Sequence, residues 1–185
     1  MRRIVILFSG RGSNLENIAR KLHKKKLLIA KAITNNPEAQ GIERAKRLGI
    51  PVEVIDHRDF ESREDFDRAL VDSIRAADPD LVVLAGFMRI LTPIFTSTIK
   101  NAINIHPSLL PCFKGARAIQ RSYQSDMKVA GVTVHWVSEE LDSGAIIDQA
   151  CFHREDESFE EFEAKIHALE YELYPNVIEK LLKIS

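Results

Sequence analysis

Ile4-Val5-Ile6-Leu7-Phe8-Ser9-Gly10-Arg11-Gly12-Ser13-Asn14-Leu15 is the stretch that decides the fold. The apolar run Ile4–Phe8 reads as a buried strand. The glycines after it let the backbone turn sharply. The chain then enters an amphipathic segment in which Leu15, Ile18, Ala19 and Leu22 follow i, i+3, i+4, i+7 spacing, the mark of a helix with one buried face. Strand, glycine turn and helix in that order open a parallel sheet.

The same alternation continues outward. Apolar runs at Leu28–Ile33, Val52–Ile55, Leu81–Ala85 and Ala102–Ile105 read as further buried strands. Ser62 and Asp65 open a second helix carrying Phe66, Leu70 and Ile74. Strands at Val129–Val137 and Ala145–Phe152 follow, joined by a short loop that holds Asp142, and read as a hairpin or near neighbours. A last helix starts near Ser158, and Pro175 is expected to kink or split it. No low-complexity linker and no internal repeat interrupts the 185 residues, a length that suits one core. The prediction is an α/β fold: one domain over residues 1–185, with a mostly parallel, twisted, Rossmann-like sheet of about seven strands and helices on both faces.

Composition excludes several classes of function. With 26 Lys and Arg against 27 Asp and Glu, the formal net charge is −1, so no overall basic field draws the chain to nucleic acid or to a membrane surface. The run Lys24-Lys25-Lys26 is short and reads as lysines closing a helix C-terminus. No apolar run reaches the length of a membrane span, and Arg2 and Arg3 are followed by too few apolar residues for a secretory leader. The two cysteines, Cys112 and Cys151, lack the spacing of a zinc site or a disulfide framework, so no metal is expected and a reducing cytoplasm fits.

Two places carry candidate chemistry. In the glycine loop, Ser13 with Glu16 three residues on is a capping-box pattern, and free N–H groups at that helix start would suit a phosphate. The string lacks a third glycine at Leu15 and lacks a Gly-Lys-Ser/Thr ending, which disfavours a dinucleotide or a nucleoside triphosphate and favours a single phosphate. An ordinary strand-to-helix turn accounts for it equally. The second place is Asn104-Ile105-His106-Pro107-Ser108-Leu109-Leu110-Pro111, with Leu141-Asp142-Ser143-Gly144 downstream. Asn104 and His106 are two apart and so share a strand face, at the strand end where open sheets hold their ligands. An amide, an imidazole and a carboxylate together can stabilise an oxyanion and move a proton without a covalent nucleophile. Against this stand a structural His106 and an Asp142 that merely closes a turn; His135, on the strand before Asp142, supports the set if it faces inward but reads first as plain packing.

The strings Phe8–Leu15, Ser62-Arg63-Glu64, Leu84–Leu91, Asn104–Pro111, Gly131–His135 and Leu141–Gly144 together resemble the folate-dependent formyltransferases, over nearly the whole chain. The first string resembles the glycinamide ribonucleotide branch of that family. Residues 112–121 depart from many members of this branch, with Ile119 where some have His, and the Gly115–Arg121 segment is closer to the methionyl-tRNA branch.

The resemblance implies transfer of a formyl group from 10-formyltetrahydrofolate, as co-substrate, to the amine of glycinamide ribonucleotide in purine biosynthesis, with no metal. It implies a phosphate-binding half over 1–100 and a catalytic, folate-binding half over 101–185. It implies Asn104, His106 and Asp142 as the catalytic set, and Gly12, Ser13, Asn14 and Glu170 as contacts to the ribonucleotide. It places Met88, Arg89, Ile90 and Leu91, together with Ser138, Glu139, Glu140, Leu141 and Asp142, around the pterin beside Asn104. Arg63 and Arg89 fall on the benzoyl-glutamate side, where a guanidinium suits carboxylates. The expected partners are these small molecules, not nucleic acid or a membrane, for a cytoplasmic monomer or weak homodimer. A methionyl-tRNA formyltransferase is the nearest rival reading, disfavoured by the net charge of −1; a formyl-folate hydrolase, a non-catalytic binding protein on the same fold and a nucleotide-dependent oxidoreductase are the others.

Overall fold

The computed structural model describes residues 1–185. Its seven strands are β1 (Arg3–Phe8), β2 (Leu28–Thr34), β3 (Val52–Val54), β4 (Leu81–Leu84), β5 (Ala102–His106), β6 (Val129–Trp136) and β7 (Ile146–His153). They form one sheet in the order β3-β2-β1-β4-β5-β6-β7. Pairings from β3 through β5 are parallel; β5 with β6 and β6 with β7 are antiparallel, the last two being neighbours as expected of a hairpin. The mostly parallel α/β sheet is thus the fold the sequence predicts.

Side chains alternate across a strand, and β1 shows the consequence. Ile4, Ile6 and Phe8 enter a core of 29 buried residues on one face, with Leu15, Ile18 and Leu22 of α1 (Ser13–Leu22), Ile42 of α2 (Gly41–Arg47) and Phe162, Tyr174 and Ile178 of α6 (Phe159–Leu182). Val5 and Leu7 enter a core of 14 on the other face, with Phe66, Leu70 and Ile74 of α3 (Arg63–Ala76) and Phe95 of α4 (Pro93–Thr98). Ile119 and Tyr123 of α5 (Ala118–Gln124) pack against the first core. β1 has β2 on one side and β4 on the other, so the chain reverses its direction of growth here and leaves a crevice beyond the strand ends.

Several expectations change in detail. Ser13 and Glu16 form no capping box: Gly12 is the N-cap, in the left-handed region at φ 73°, no side chain caps the helix, and Glu16 pairs with Arg20 and Arg44. Gly12 approaches Gly41 so closely that a Cβ would lie 2.6 Å from its Cα, which explains the glycine. The Lys24–Lys26 run follows α1 instead of ending it, although Lys25 Nζ still donates to the Arg20 carbonyl near the helix end. α6 runs unbroken from 159 to 182 through Pro175; its start is capped by Ser158, which accepts from the Glu161 N–H. α2, α4 and α5 were not visible as periodic segments, being only 7, 6 and 7 residues long. No helix is long and apolar enough to cross a membrane.

Candidate active site

β5 brings Asn104 and His106 to the crevice, and His106 is its last residue, where the sequence suggested a loop. Antiparallel pairing sets His135 directly opposite Asn104 and Thr133 opposite His106. Directly opposite residues share a face, so the polar groups of the two strands meet. His135 Nδ1 lies 2.9 Å from the Trp136 carbonyl, which can only accept, so this nitrogen carries the proton. Its Nε2 is then the acceptor for the Asn104 amide N–H at 3.3 Å. Burial holds the His135 imidazole below its ordinary value, with the Trp136 carbonyl and Asp142 opposing and His106 adding repulsion. A neutral His135 therefore fixes which end of the Asn104 amide faces it and leaves the second amide hydrogen free to point elsewhere.

Asp142 completes the cluster. Its Oδ2 accepts from the Gly115 N–H at 2.9 Å and lies 3.5 Å from His106 Nδ1; its Oδ1 lies 3.8 Å from His135 Nε2. His106 Nε2 donates to the Phe113 carbonyl at 2.8 Å. His106, His135 and Asp142 are all buried, at 6%, 3% and 8% exposure, where ion pairs are least screened. The alternative of Asp142 serving only its own turn does not hold, since its carboxylate reaches across to residue 115. His135, expected as plain packing, instead touches the amide of Asn104.

Backbone strain gathers at the same place. Six non-glycine residues have positive φ, and Phe113, Arg117 and Asp142 are three of them. Such residues cost of order 1–3 kcal/mol each and tend to persist at functional sites.

Two adjoining cavities open on this cluster. A larger one, about 440 Å³, is lined by Asn14, Met88, Arg89, Ile90, Asn104, His106, Arg117, Leu141, Asp142 and Glu170 among others. A smaller one, about 70 Å³, is lined by Arg89, Ile90, Leu91, Asn104, His135, Ser138, Glu139, Glu140, Leu141 and Asp142. At the far side, Glu170 is buried and accepts from Asn14 Nδ2 at 2.8 Å. His167 Nδ1 is 3.7 Å from the same carboxylate, which raises the imidazole above its ordinary value. Tyr174, fully buried, ties this helix to the sheet by donating to the Leu84 carbonyl at 2.6 Å, and burial pushes its phenol well up. Gly12 and Ser13 lie at the uncapped start of α1, next to Asn14, with first-turn N–H groups that have no intrahelical acceptor. Arg63 stands exposed at the first turn of α3 and lines neither cavity.

Two details suit a bound ligand. Only four buried side-chain polar atoms lack a hydrogen-bond partner, and two of them, Asn14 Oδ1 and Arg89 Nε, belong to the cavity lining. Of the seven large apolar side chains left exposed, Met88, Ile90 and Leu141 line the larger cavity, an apolar edge of the kind that marks a ligand-binding groove.

A family model described as "Formyl transferase" matches residues 2–178. The chain belongs to this formyl transferase family. Among solved structures it is similar to phosphoribosylglycinamide formyltransferase from Campylobacter jejuni, with TM-score 0.95 and 55% identity, covering 98% of this chain and 97% of that one. The phosphoribosylglycinamide formyltransferase of Bacillus subtilis is 35% identical over 189 residues, covering all of this chain and 97% of its own. That of Haemophilus influenzae is 41% identical over 182 residues, with 96% and 86% covered.

In this formyltransferase the sequence reading missed the groups that hold the site in shape. Thr133 Oγ1 accepts from the Leu110 N–H and donates to the Ser108 carbonyl, and Gln149 Nε2 donates to both Thr133 Oγ1 and the Leu110 carbonyl. Together they pin the loop that leaves His106. Thr133, a polar residue between Val132 and Val134, was the only signal available for this role.

Proposed function

We propose that this protein transfers the formyl group of 10-formyltetrahydrofolate to the amine of glycinamide ribonucleotide, in purine biosynthesis. The observation that carries the reading is the meeting of Asn104, His106 and Asp142 on the wall of the larger cavity, which reaches Asn14 and Glu170 and which, with the smaller cavity beside it, takes in the 88–91 and 138–142 segments. The relatives' names supply the substrate class, and the full-length match supports it.

The residues divide by place. The uncapped helix start at Gly12, Ser13 and Asn14 suits the ribonucleotide's single phosphate, with Glu170 toward its amine. Met88, Arg89, Ile90, Leu91 and the Ser138–Asp142 segment suit the pterin, whose fit the unpartnered Arg89 Nε supports. Arg63, at its exposed helix end, suits the folate's outer carboxylates. Residues 1–100 thus carry most of the phosphate side and 101–185 the catalytic set. The protein acts on small molecules, in the cytoplasm, as a monomer or weak homodimer.

The chemistry is direct. The neutral amine attacks the formyl carbon, its bond to the folate nitrogen breaks, and one proton passes from the attacking to the leaving nitrogen. The free amide hydrogen of Asn104 stabilises the oxyanion, and so does the His106 Nε2–H once it turns from the Phe113 carbonyl; one such donor is worth about 3 kcal/mol in the transition state. Asp142 pairs with His106 and helps the proton across through water.

The test is a spectrophotometric turnover assay with both substrates, beside His106→Ala and a control with water as the only acceptor. Release of tetrahydrofolate that requires the ribonucleotide and vanishes in the variant is the expected result. Release with water alone would make the protein a hydrolase, and no release at all would leave a binding protein.

A further inference from the structure

The loop between β4 and α4, residues 85–92, is irregular, yet buried side chains from elsewhere hold both its ends. At the near end the Met88 N–H donates to Ser9 Oγ at 2.8 Å, and that hydroxyl donates onward to Asn35 Oδ1 at 2.6 Å. The Ser9 N–H also donates to the Gly86 carbonyl at 3.0 Å. At the far end one carboxylate oxygen of Asp67 accepts both the N–H and the hydroxyl of Thr92, each at 2.7 Å. Ser9, Asn35 and Asp67 are 9%, 5% and 1% exposed. Between the two anchors the loop turns outward: Met88 and Ile90 are exposed, while Arg89 lies over the Phe66 ring at 4.9 Å.

Asp67 is an expensive way to join two helices. Burial pushes its carboxyl up, with the Thr92 bonds and the Arg89 charge opposing. An apolar pair at the same place would hold α3 to α4 without desolvating a carboxylate. What the carboxylate adds is direction: it fixes the Thr92 backbone and sets a negative charge behind Arg89. We propose that Ser9 and Asp67 are positioning residues for the folate subsite, holding the loop from both ends so that the backbone of residues 88–91 faces the pterin and the Arg89 guanidinium the benzoyl-glutamate side. This rests on the formyl-folate reading of the cavity.

Steady-state kinetics with each substrate varied in turn, alongside fluorescence titration with tetrahydrofolate, tests the proposal. Ser9→Ala and Asp67→Ala should each raise the folate KM and the tetrahydrofolate Kd about tenfold, equivalent to ~1.4 kcal/mol, with ribonucleotide KM and kcat within about twofold of wild type. Asp67→Asn keeps an oxygen for Thr92 and should restore most of the affinity. If Asp67→Ala does not fold, Thr92→Val removes only the hydroxyl bond and should shift the folate KM in the same direction. Unchanged folate constants in Ser9→Ala and Thr92→Val would overturn the proposal. So would an equal rise in both substrates' KM together with a lower Tm, the mark of a merely structural role. A wild-type protein that binds tetrahydrofolate but transfers nothing would sink the activity reading and leave the titration to decide the anchors. One that binds no folate would sink both.

Discussion

β1 and β5 are both interior strands of one sheet, yet they are built to different rules. From Ile4 to Phe8, β1 is apolar and fully buried on both faces, flanked by parallel neighbours. β5 ends in Asn104 and His106, and its antiparallel neighbour β6 answers with His135 and Thr133. Burying a polar group is costly unless it is bonded, so the second region can exist only as a mutually satisfied set. Parallel strands spend their side chains on the helices that cover them. The switch to antiparallel pairing at β5 places side chains face to face across a strand pair, and that is where a cluster of amide, imidazoles and carboxylate can form.

The comparison breaks most visibly through catalysis. His106→Ala and Asp142→Asn should each lower kcat by roughly 10²–10⁴-fold in a protein that still folds, with Tm lowered only by the buried bonds left unmade. Asn104→Ala, which removes one of the proposed oxyanion donors, should cost about 10²–10³-fold. The opposite profile is expected of β1. Leu7→Ala should lower unfolding free energy by about 2–5 kcal/mol, measured in urea, with kcat per folded molecule unchanged. Should His106→Ala unfold the protein, or Leu7→Ala slow the chemistry of the folded fraction, the two regions would not be as separate as their composition suggests.

This division also explains what was legible beforehand. Five apolar runs and two amphipathic segments are periodic signals, and each became the expected strand or helix within a residue or two. Asn104 and His106 were visible because spacing of two on a strand end is itself geometric. Whether His135 supports that set or merely packs was not, because this depends on the register of β5 against β6, which no local pattern gives. The capping box at Ser13 failed for a related reason: Gly12 meets Gly41 of α2, a short helix with too few turns to show a period, and that contact sets the turn. Ser9, Asp67 and Thr133 look like ordinary small polar residues until their distant partners are known.

pH sharpens the contrast by a smaller amount. Burial keeps the pKa of His135 below its ordinary 6.5 in the folded protein. The unfolded chain therefore binds the proton more readily, and stability falls as pH drops below that ordinary value, until the folded pKa is reached. One such proton contributes at most about 1.4 kcal/mol per pH unit over that window. His23, also held down by burial, acts in the same direction, and His167, raised by Glu170, in the opposite one. Urea denaturation between about pH 7.5 and 5.5 should show a shallower acid loss for His135→Gln than for wild type. An identical slope would mean that the cluster accommodates a charged His135 at little cost.

The smallest effects should ignore the division. Ser62 caps α3 on one side of the sheet by accepting from the Asp65 N–H, and Ser158 caps α6 on the other by accepting from the Glu161 N–H. Both bonds are exposed and chemically alike. A hydroxyl that satisfies one free N–H of a first turn is worth about 1 kcal/mol wherever the helix sits. Ser62→Ala and Ser158→Ala should therefore lose nearly equal unfolding free energy, and Ser158→Ala should leave kcat untouched. Equal losses would confine the difference between the two regions to their strands. A markedly larger loss at Ser158 would show that α6, which carries Glu170 and Tyr174 to the site, is coupled to the polar cluster as a unit and not merely packed against it.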